Sequence, residues 1–252
     1  MSDATYPSLR DRLAVVTGGG SGIGAGLTEG FARQGARVVI LDVAEDASRA
    51  LVECLADLPH RPVFLPCDLT DVAALQARFG EIEAEHGGVD VLVNNAANDD
   101  RHQVGEITPA YFDERIAVNL RHLFFSAQAV APRMKARGGG VILNFGSISW
   151  HLGLKDLSIY ETAKAGIEGM TRALARELGP DGIRVVCIVP GNVRTPRQMK
   201  WYTPEGEAEI VASQCLKVRI EPPDVADLAL FLASDQARCI TGHGYFIDAG
   251  WR

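Results

Sequence analysis

The chain has 252 residues, with 47% hydrophobic and 23% charged side chains and a mean hydropathy of +0.04, a profile that excludes a disordered or fibrous chain. Its 32 acidic and 25 basic residues leave a net charge of −7. With no lysine- or arginine-rich block, affinity for nucleic acid or for an anionic membrane surface is not expected, because both need clustered positive charge. No apolar run reaches the roughly 18 residues of a membrane-spanning helix. The segment Met1-Ser2-Asp3-Ala4-Thr5-Tyr6-Pro7 lacks the basic flank and apolar stretch of a signal peptide. The expectation is a cytoplasmic protein folded as a single domain over residues 1–252. Cys54, Cys67, Cys187, Cys215 and Cys239 stand at wide, irregular spacings, which predicts reduced, mostly buried thiols and no metal site.

In chain order, short β-rich runs alternate with helical patterns: Leu13–Thr17, Ile23–Gln34, Arg37–Asp42, Glu45–Leu58, Val63–Cys67, Val72–Glu85 and Val89–Asn94. A long helical region then opens at Thr108-Pro109 and runs toward Arg137, where Gly138-Gly139-Gly140 stops it. The strand Val141–Gly146, a helix over Ser158–Leu178, the strand Arg184–Val189, a helix from Pro222-Pro223 toward Ala233 and a last strand near Tyr245–Asp248 complete the pattern. Such alternation predicts an α/β fold, doubly wound around a central parallel sheet of about seven strands. Near-continuous Val, Ile and Leu in the strands fit a sheet covered on both faces. The stretch from Gly191 to about Val218 is the one long departure from alternation, and it is expected to carry substrate contacts.

After the first strand comes Thr17-Gly18-Gly19-Gly20-Ser21-Gly22-Ile23-Gly24, glycine-rich just where a helix begins. Glycines allow a tight turn and close backbone approach, and the helix N-terminus offers free N–H groups to a pyrophosphate. Asp42, 18 residues after Gly24 at the end of the second strand, is placed to take the 2′-hydroxyl of an adenosine ribose. A carboxylate there repels a 2′-phosphate, so NAD is expected rather than NADP. Asp68 and Leu69 after the third strand, and Asn94-Asn95-Ala96-Ala97 after the fourth, lie at strand carboxyl ends where such folds bind ligands. Asp68 and Asn94 are equally common as turn formers.

Tyr160 and Lys164 are four apart on a predicted helix and so share a face. A nearby ammonium lowers a phenol from its unperturbed value near 10, toward what a base needs. Ser147, at the end of the preceding strand, can bring a second hydroxyl to the same point, a set suited to oxidising an alcohol by hydride transfer to a nicotinamide. Taken together, Thr17-Gly18-x-x-x-Gly22-x-Gly24, Asn94-Asn95-Ala96, Asn119, Ser147 and Tyr160-x-x-x-Lys164 resemble the short-chain dehydrogenase/reductase family along essentially the whole chain. That resemblance implies a Rossmann fold and a homotetramer. It also implies that Asn119 completes a catalytic tetrad by holding a proton-relaying water, and that Lys164 contacts the nicotinamide ribose. It further implies a carboxamide-holding segment at Pro190, Gly191, Val193 and Thr195, with Ser21 and Ile23 joining the glycines at the pyrophosphate. Ala97 stands where the family usually has glycine.

Around this centre the side chains are polar and aromatic: Asn98 to His102, Ser149, Trp150-His151, and Asn192, Gln198, Trp201 and Tyr202 in the excursion. Sugars need several hydrogen-bond partners and an aromatic face, whereas a steroid or acyl pocket is mostly aliphatic. Candidate substrate contacts are therefore Asn98, Ser147, Ser149, His151, Tyr160, Asn192, Gln198 and Trp201. For several of these a plainer reading stays open: Asn98–His102 as a solvated loop, Trp201-Tyr202 as a subunit contact, His151 as a satisfied histidine in the pocket wall. The stretches 98–102, 145–154 and 200–208 resemble those of bacterial aldose 1-dehydrogenases within the family. That implies oxidation of the anomeric carbon of a cyclic aldose to a lactone, D-xylose first, with Tyr160 taking the C1 hydroxyl proton. L-arabinose, D-glucose and L-fucose remain open, as do a ketone or 3-oxoacyl reductase and a non-catalytic NAD-binding regulator. Ala163, Ala165, Gly166 and Gly169 would permit close helix approach between subunits or against the sheet.

Overall fold

In a computed structural model that describes residues 4–200 and 202–251, seven strands form one sheet in the order β3-β2-β1-β4-β5-β6-β7, with every neighbouring pair parallel. The strands are β1 Leu13–Thr17, β2 Arg37–Asp42, β3 Val63–Pro66, β4 Val91–Asn94, β5 Gly140–Phe145, β6 Ile183–Pro190 and β7 Gly244–Ile247. The helices are α1 Gly22–Arg33, α2 Glu45–Cys54, α3 Val72–His86, α4 Pro109–Ile116, α5 His122–Ala136, α6 Ser149–Leu152, α7 Ser158–Leu178, α8 Pro204–Ser213 and α9 Pro222–Ala233. This is a single-domain, doubly wound Rossmann fold, with the order reversing beside β1.

β1 and β4 are buried from end to end, and β6 at every position but Arg184, because helices close both faces. On one face Leu27 and Phe31 of α1 and Val225, Ala229 and Leu230 of α9 pack against Val16, Val93 and Val186. On the other, Leu75 and Phe79 of α3, Val130 and Met134 of α5 and Leu174 of α7 cover Val15, Leu92 and Val185. Each strand shows both neighbours an apolar side chain, so no polar alternation appears along it. No helix among the described residues is long and apolar enough to cross a membrane.

Three local features depart from the expected pattern. The helical region from Thr108 toward Arg137 is not one regular helix: Thr108 Oγ1 caps α4 by accepting from Tyr111 N–H, and a π turn over Ala117–Arg121 separates α4 from α5. A π turn carries one residue more per turn, and this one brings Asn119 to complete burial. The short helix α6 begins two residues after Ser147. Of the five cysteines, only Cys67 and Cys187 are buried, while Cys54, Cys215 and Cys239 are exposed. The expectation of mostly buried thiols is thus corrected: Cys54 ends a surface helix, and the other two lie in connecting segments.

Candidate active site

The strands run the same way, so their carboxyl ends lie along one edge of the sheet, with Thr17, Asp42, Asn94, Phe145 and Pro190 as last residues. A cleft of about 810 Å³ opens there. At one end the turn after β1 closes tightly. Gly18 has φ +61°, and a Cβ on it would lie 2.9 Å from Ala96 Cα. A Cβ on Gly24 would lie 1.8 Å from the Gly18 carbonyl oxygen, so both positions exclude a side chain. Asn95 ties the same turn from across the sheet, donating through Nδ2 to the carbonyls of Thr17 and Gly18 at 3.1 Å each. Ala97 is exposed on the cleft wall, so its methyl stays outside the packed turn.

Helix α1 begins at this turn with no side-chain cap. The N–H groups of its first turn are therefore left for a ligand, at the positive end of the helix dipole. Asp42 lines the cleft at 7% exposure. Its two oxygens accept from Gly20 N–H and Ala44 N–H, both at 2.9 Å, which fixes the carboxylate while leaving a lone pair free on each oxygen. Asp68 also lines the cleft and makes an Asx turn, accepting from Thr70 N–H and Oγ1–H at 2.9 and 2.7 Å. Asp68 is therefore a turn former that stands on the cleft wall. Ser21, Gly22, Ile23, Leu69, Ala96, Pro190, Gly191, Val193 and Thr195 line the same cleft. An uncapped helix end beside a fixed carboxylate fits a dinucleotide: the first turn of α1 would take the pyrophosphate and Asp42 the adenosine ribose.

At the other end Ser147, Tyr160 and Lys164 all reach the cleft. Ser149 joins them, donating from Oγ to Ser147 Oγ at 2.9 Å. Lys164, almost fully buried, donates from Nζ to the Phe145 carbonyl at 2.8 Å. Its Nζ stands 5.4 Å from the centre of the Tyr160 ring. Burial lowers Lys164 to about 8. Tyr160 moves the other way: burial raises it well above the ordinary phenol value and the Asp99 carboxylate adds to the rise, against a hydrogen bond with Ser147 and the Arg197 charge. The net direction at Tyr160 is thus upward, opposite to the lowering expected, because loss of solvent outweighs the favourable contacts.

Asn119 stands behind the wall. Its side chain accepts from Asn98 N–H at 2.8 Å and donates to the carbonyls of Asn98 and Arg115 at 3.0 Å each. Residues 98–100 and the segment after β6 are tied across the mouth. Arg197 approaches Asp99 and Asp100 at 2.9 and 2.6 Å, and Gln198 Nε2 donates to Asp99 Oδ2 at 2.7 Å. Asn98, Asn192 and Gln198 line the cleft as expected of substrate candidates, joined by Asp99, Arg197 and Tyr202. Asp99 belongs to the same polar run as Asn98, and that run was the available signal for it. Trp201 lies outside the described residues.

His151 does not line the cleft. Its ring is turned under α7, where Nε2 meets Glu168 Oε1 at 3.0 Å, against Trp150 and edge-on to Phe246. Trp150 Nε1 donates to the same carboxylate oxygen at 2.8 Å. The satisfied-histidine reading is therefore the one the structure supports, because Glu168 offers both rings a charged partner away from solvent. His102 is likewise a local anchor rather than a wall residue: its Nε2 accepts from Ile159 N–H at 3.3 Å in the first turn of α7.

A family model described as enoyl-(acyl carrier protein) reductase matches residues 18–252. A D-xylose 1-dehydrogenase of Caulobacter vibrioides is 68% identical over the full length of both chains. A protein named probable galactose dehydrogenase, from Rhizobium meliloti (strain 1021), is 48% identical over 99% of this chain and 98% of its own. Among solved structures, a 7α-hydroxysteroid dehydrogenase complexed with NADH and 7-oxo glycochenodeoxycholic acid superposes with a TM-score of 0.93 at 31% identity, covering 99% of this chain and 98% of the other. With the glycine turn, the fixed carboxylate and the Ser147–Tyr160–Lys164 centre arranged on this fold, the chain belongs to the short-chain dehydrogenase/reductase family and is an oxidoreductase.

Proposed function

We propose that this chain oxidises the C1 hydroxyl of a cyclic aldose, D-xylose foremost, to the lactone, with Tyr160 as base and NAD as hydride acceptor. The observation that carries the reading is the cleft itself. Ser147, Tyr160 and Lys164 sit beneath an outer wall of Asn98, Asp99, Asn192, Gln198 and Tyr202, groups that suit hydroxyls better than an acyl chain or a steroid. The name of the 68% identical relative supports a pentose among the polyols.

Ser147 donates to the C1 oxygen, and Tyr160 as phenolate takes the C1 hydroxyl proton. Lys164, charged and held by the Phe145 carbonyl, stabilises that phenolate through the field it sets up in a dry site. Asn119 holds the loop that carries the outer wall by both backbone groups of Asn98. When bound, the oxidised nicotinamide supplies the hydride acceptor and a further positive charge in the cleft, which favours the phenolate. Asp42 supports NAD over NADP, since neither Leu41 nor Val43 beside it on the wall offers a cation to a 2′-phosphate. The exposed rings of Phe112 and Phe124 support a homotetramer.

The test is NADH formation, followed by absorbance, with a panel of free pentoses and hexoses in NAD and then in NADP. One preferred aldose with NAD is the expected result, and no turnover of any aldose would retire the reading. Tyr160→Phe should lose roughly 10²–10⁴-fold in turnover while NAD still binds within about twofold of the original affinity. Undiminished turnover in that variant would remove Tyr160 from the role of base.

A further inference from the structure

Four hydrogen bonds in the outer wall all point the same way. Arg219 Nη2 donates to Asn192 Oδ1 at 3.0 Å, and Asn192 Nδ2 donates to the Tyr202 hydroxyl oxygen at 2.5 Å. The Tyr202 hydroxyl donates to Gln198 Oε1 at 2.8 Å, and Gln198 Nε2 donates to Asp99 Oδ2 at 2.7 Å. The row starts on a guanidinium, which can only donate, and ends on a carboxylate, which can only accept. Its direction is therefore fixed, and each amide is held in one orientation by its neighbours. From the other side Arg197 Nε stands 2.9 Å from Asp99 Oδ1, and Arg197 Nη2 donates to Asn98 Oδ1 and Asp100 Oδ1 at 3.0 and 2.6 Å.

A carboxylate offers about four acceptor positions, two on each oxygen. Arg197 and Gln198 take one on each, and one on each is left. The side chain stays 31% exposed and lines the same cleft as Ser147 and Tyr160. Its charge is felt at both Tyr160 and Lys164, so it lies near the reacting end of the cleft. What this part of the wall presents inward is thus a pair of acceptors with no hydrogen to give. A keto or acyl oxygen finds no donor on Asp99, whereas two hydroxyls on adjacent ring carbons can both be satisfied.

Resting on the aldose reading above, we infer that Asp99 is the residue that selects a polyol, its carboxylate accepting hydrogen bonds from two neighbouring hydroxyls of the sugar. Gln198, Tyr202, Asn192 and Arg219 are positioning residues that aim it. Two of the candidate substrate contacts, Asn192 and Gln198, act through Asp99 in this arrangement rather than by donating to the sugar.

The experiment is steady-state kinetics on the full chain, for the unmodified protein, Asp99→Asn, Asp99→Ala and Tyr202→Phe, with D-xylose and its 2-, 3- and 4-deoxy analogues. NAD affinity is measured separately by fluorescence titration. Charge-assisted hydrogen bonds of this kind predict a rise in KM for D-xylose of about 10- to 100-fold in Asp99→Ala, with NAD affinity unchanged. The two deoxy analogues that lack a contacted hydroxyl should be poor substrates of the unmodified protein and should lose that handicap in Asp99→Ala. Tyr202→Phe, which breaks the row without touching the carboxylate, should raise KM several-fold and leave kcat nearly unchanged. An unaltered KM in both Asp99 variants, or deoxy handicaps that persist undiminished in Asp99→Ala, would overturn the role of Asp99 and leave the aldose reading standing. Failure of the unmodified protein to oxidise any aldose would overturn both.

Discussion

Two buried bases, Lys164 on the cleft wall and His122 behind it, are both shifted toward their neutral forms by loss of solvent. Lys164 is lowered to about 8. His122, fully buried, is lowered to about 4 by desolvation, with the Lys164 charge acting in the same direction. His122 Nε2 stands 3.2 Å from the Ala96 carbonyl oxygen. A carbonyl only accepts, so Nε2 carries a proton, and burial favours the neutral ring. The folded-state value lies below the unfolded one, so the unfolded chain binds more protons between about 6.5 and 4. The stability that comes from keeping His122 neutral is therefore complete above pH 6.5 and is lost as the pH falls toward 4. The full difference is worth up to about 3 kcal/mol. Urea unfolding midpoints taken at pH 7.5 and pH 5 should fall steeply for the unmodified protein. His122→Gln keeps a donor for Ala96 and removes the titration, so its midpoints should fall less. Equal slopes for the two proteins would show that the acid sensitivity arises elsewhere.

At the level of elements, the parts proposed to hold a cofactor were legible in the sequence, because they obey local rules. A glycine run between a strand and a helix, followed by an acidic strand end, depends on neighbours along the chain, and the structure gives each its expected place: φ +61° at Gly18 and near-complete burial of Asp42. The π turn at Ala117–Arg121 and the four-residue helix α6 were not legible. One extra residue in a turn leaves no mark on a hydrophobic period, and four residues are too few to have one. The tightest demand in the cofactor turn falls on Gly24, whose absent Cβ would stand 1.8 Å from the Gly18 carbonyl oxygen. The oxygen is on the backbone and a Cβ has no torsion of its own to move it, so no rotamer change relieves the clash. Gly24→Ala should destabilise the fold by about 1–3 kcal/mol and weaken NAD binding by more than tenfold, because the turn must open where the pyrophosphate is expected. Thermal denaturation with and without NAD checks both effects, and a variant that NAD stabilises as well as the unmodified protein would show the turn to be more compliant than its geometry implies.

Over the whole molecule, alternation along the chain was enough to predict a parallel sheet of seven strands, since each βαβ unit closes only one way. The residue types of the outer wall were equally plain, but their orientations depended on contacts far apart in sequence. Asp99 meets Gln198 across 99 positions, and His151 turns away from the cleft because Glu168, 17 positions on, takes its ring nitrogen. Assembly is another property set at long range, and it can be argued from what the single chain leaves uncovered. Phe112 on α4 and Phe124 on α5 remain 43% and 44% exposed, and Phe124 is braced edge-on by Phe125 at 5.6 Å between ring centres. A ring held in place yet left in water loses little conformational freedom when a partner covers it, while its apolar area still gains about 25 cal/mol per Å² on burial. If the proposed tetramer forms, the helical run α4–α5 that carries these rings is the surface expected to be covered in it. Sedimentation velocity of the unmodified protein should give a tetramer. Phe124→Glu puts a charge into that contact while leaving the cleft untouched, so it should shift the distribution to smaller species with the far-UV spectrum unchanged. A monomer in the unmodified protein would remove the assembly, and a tetramer that survives Phe124→Glu would move the contact to another face.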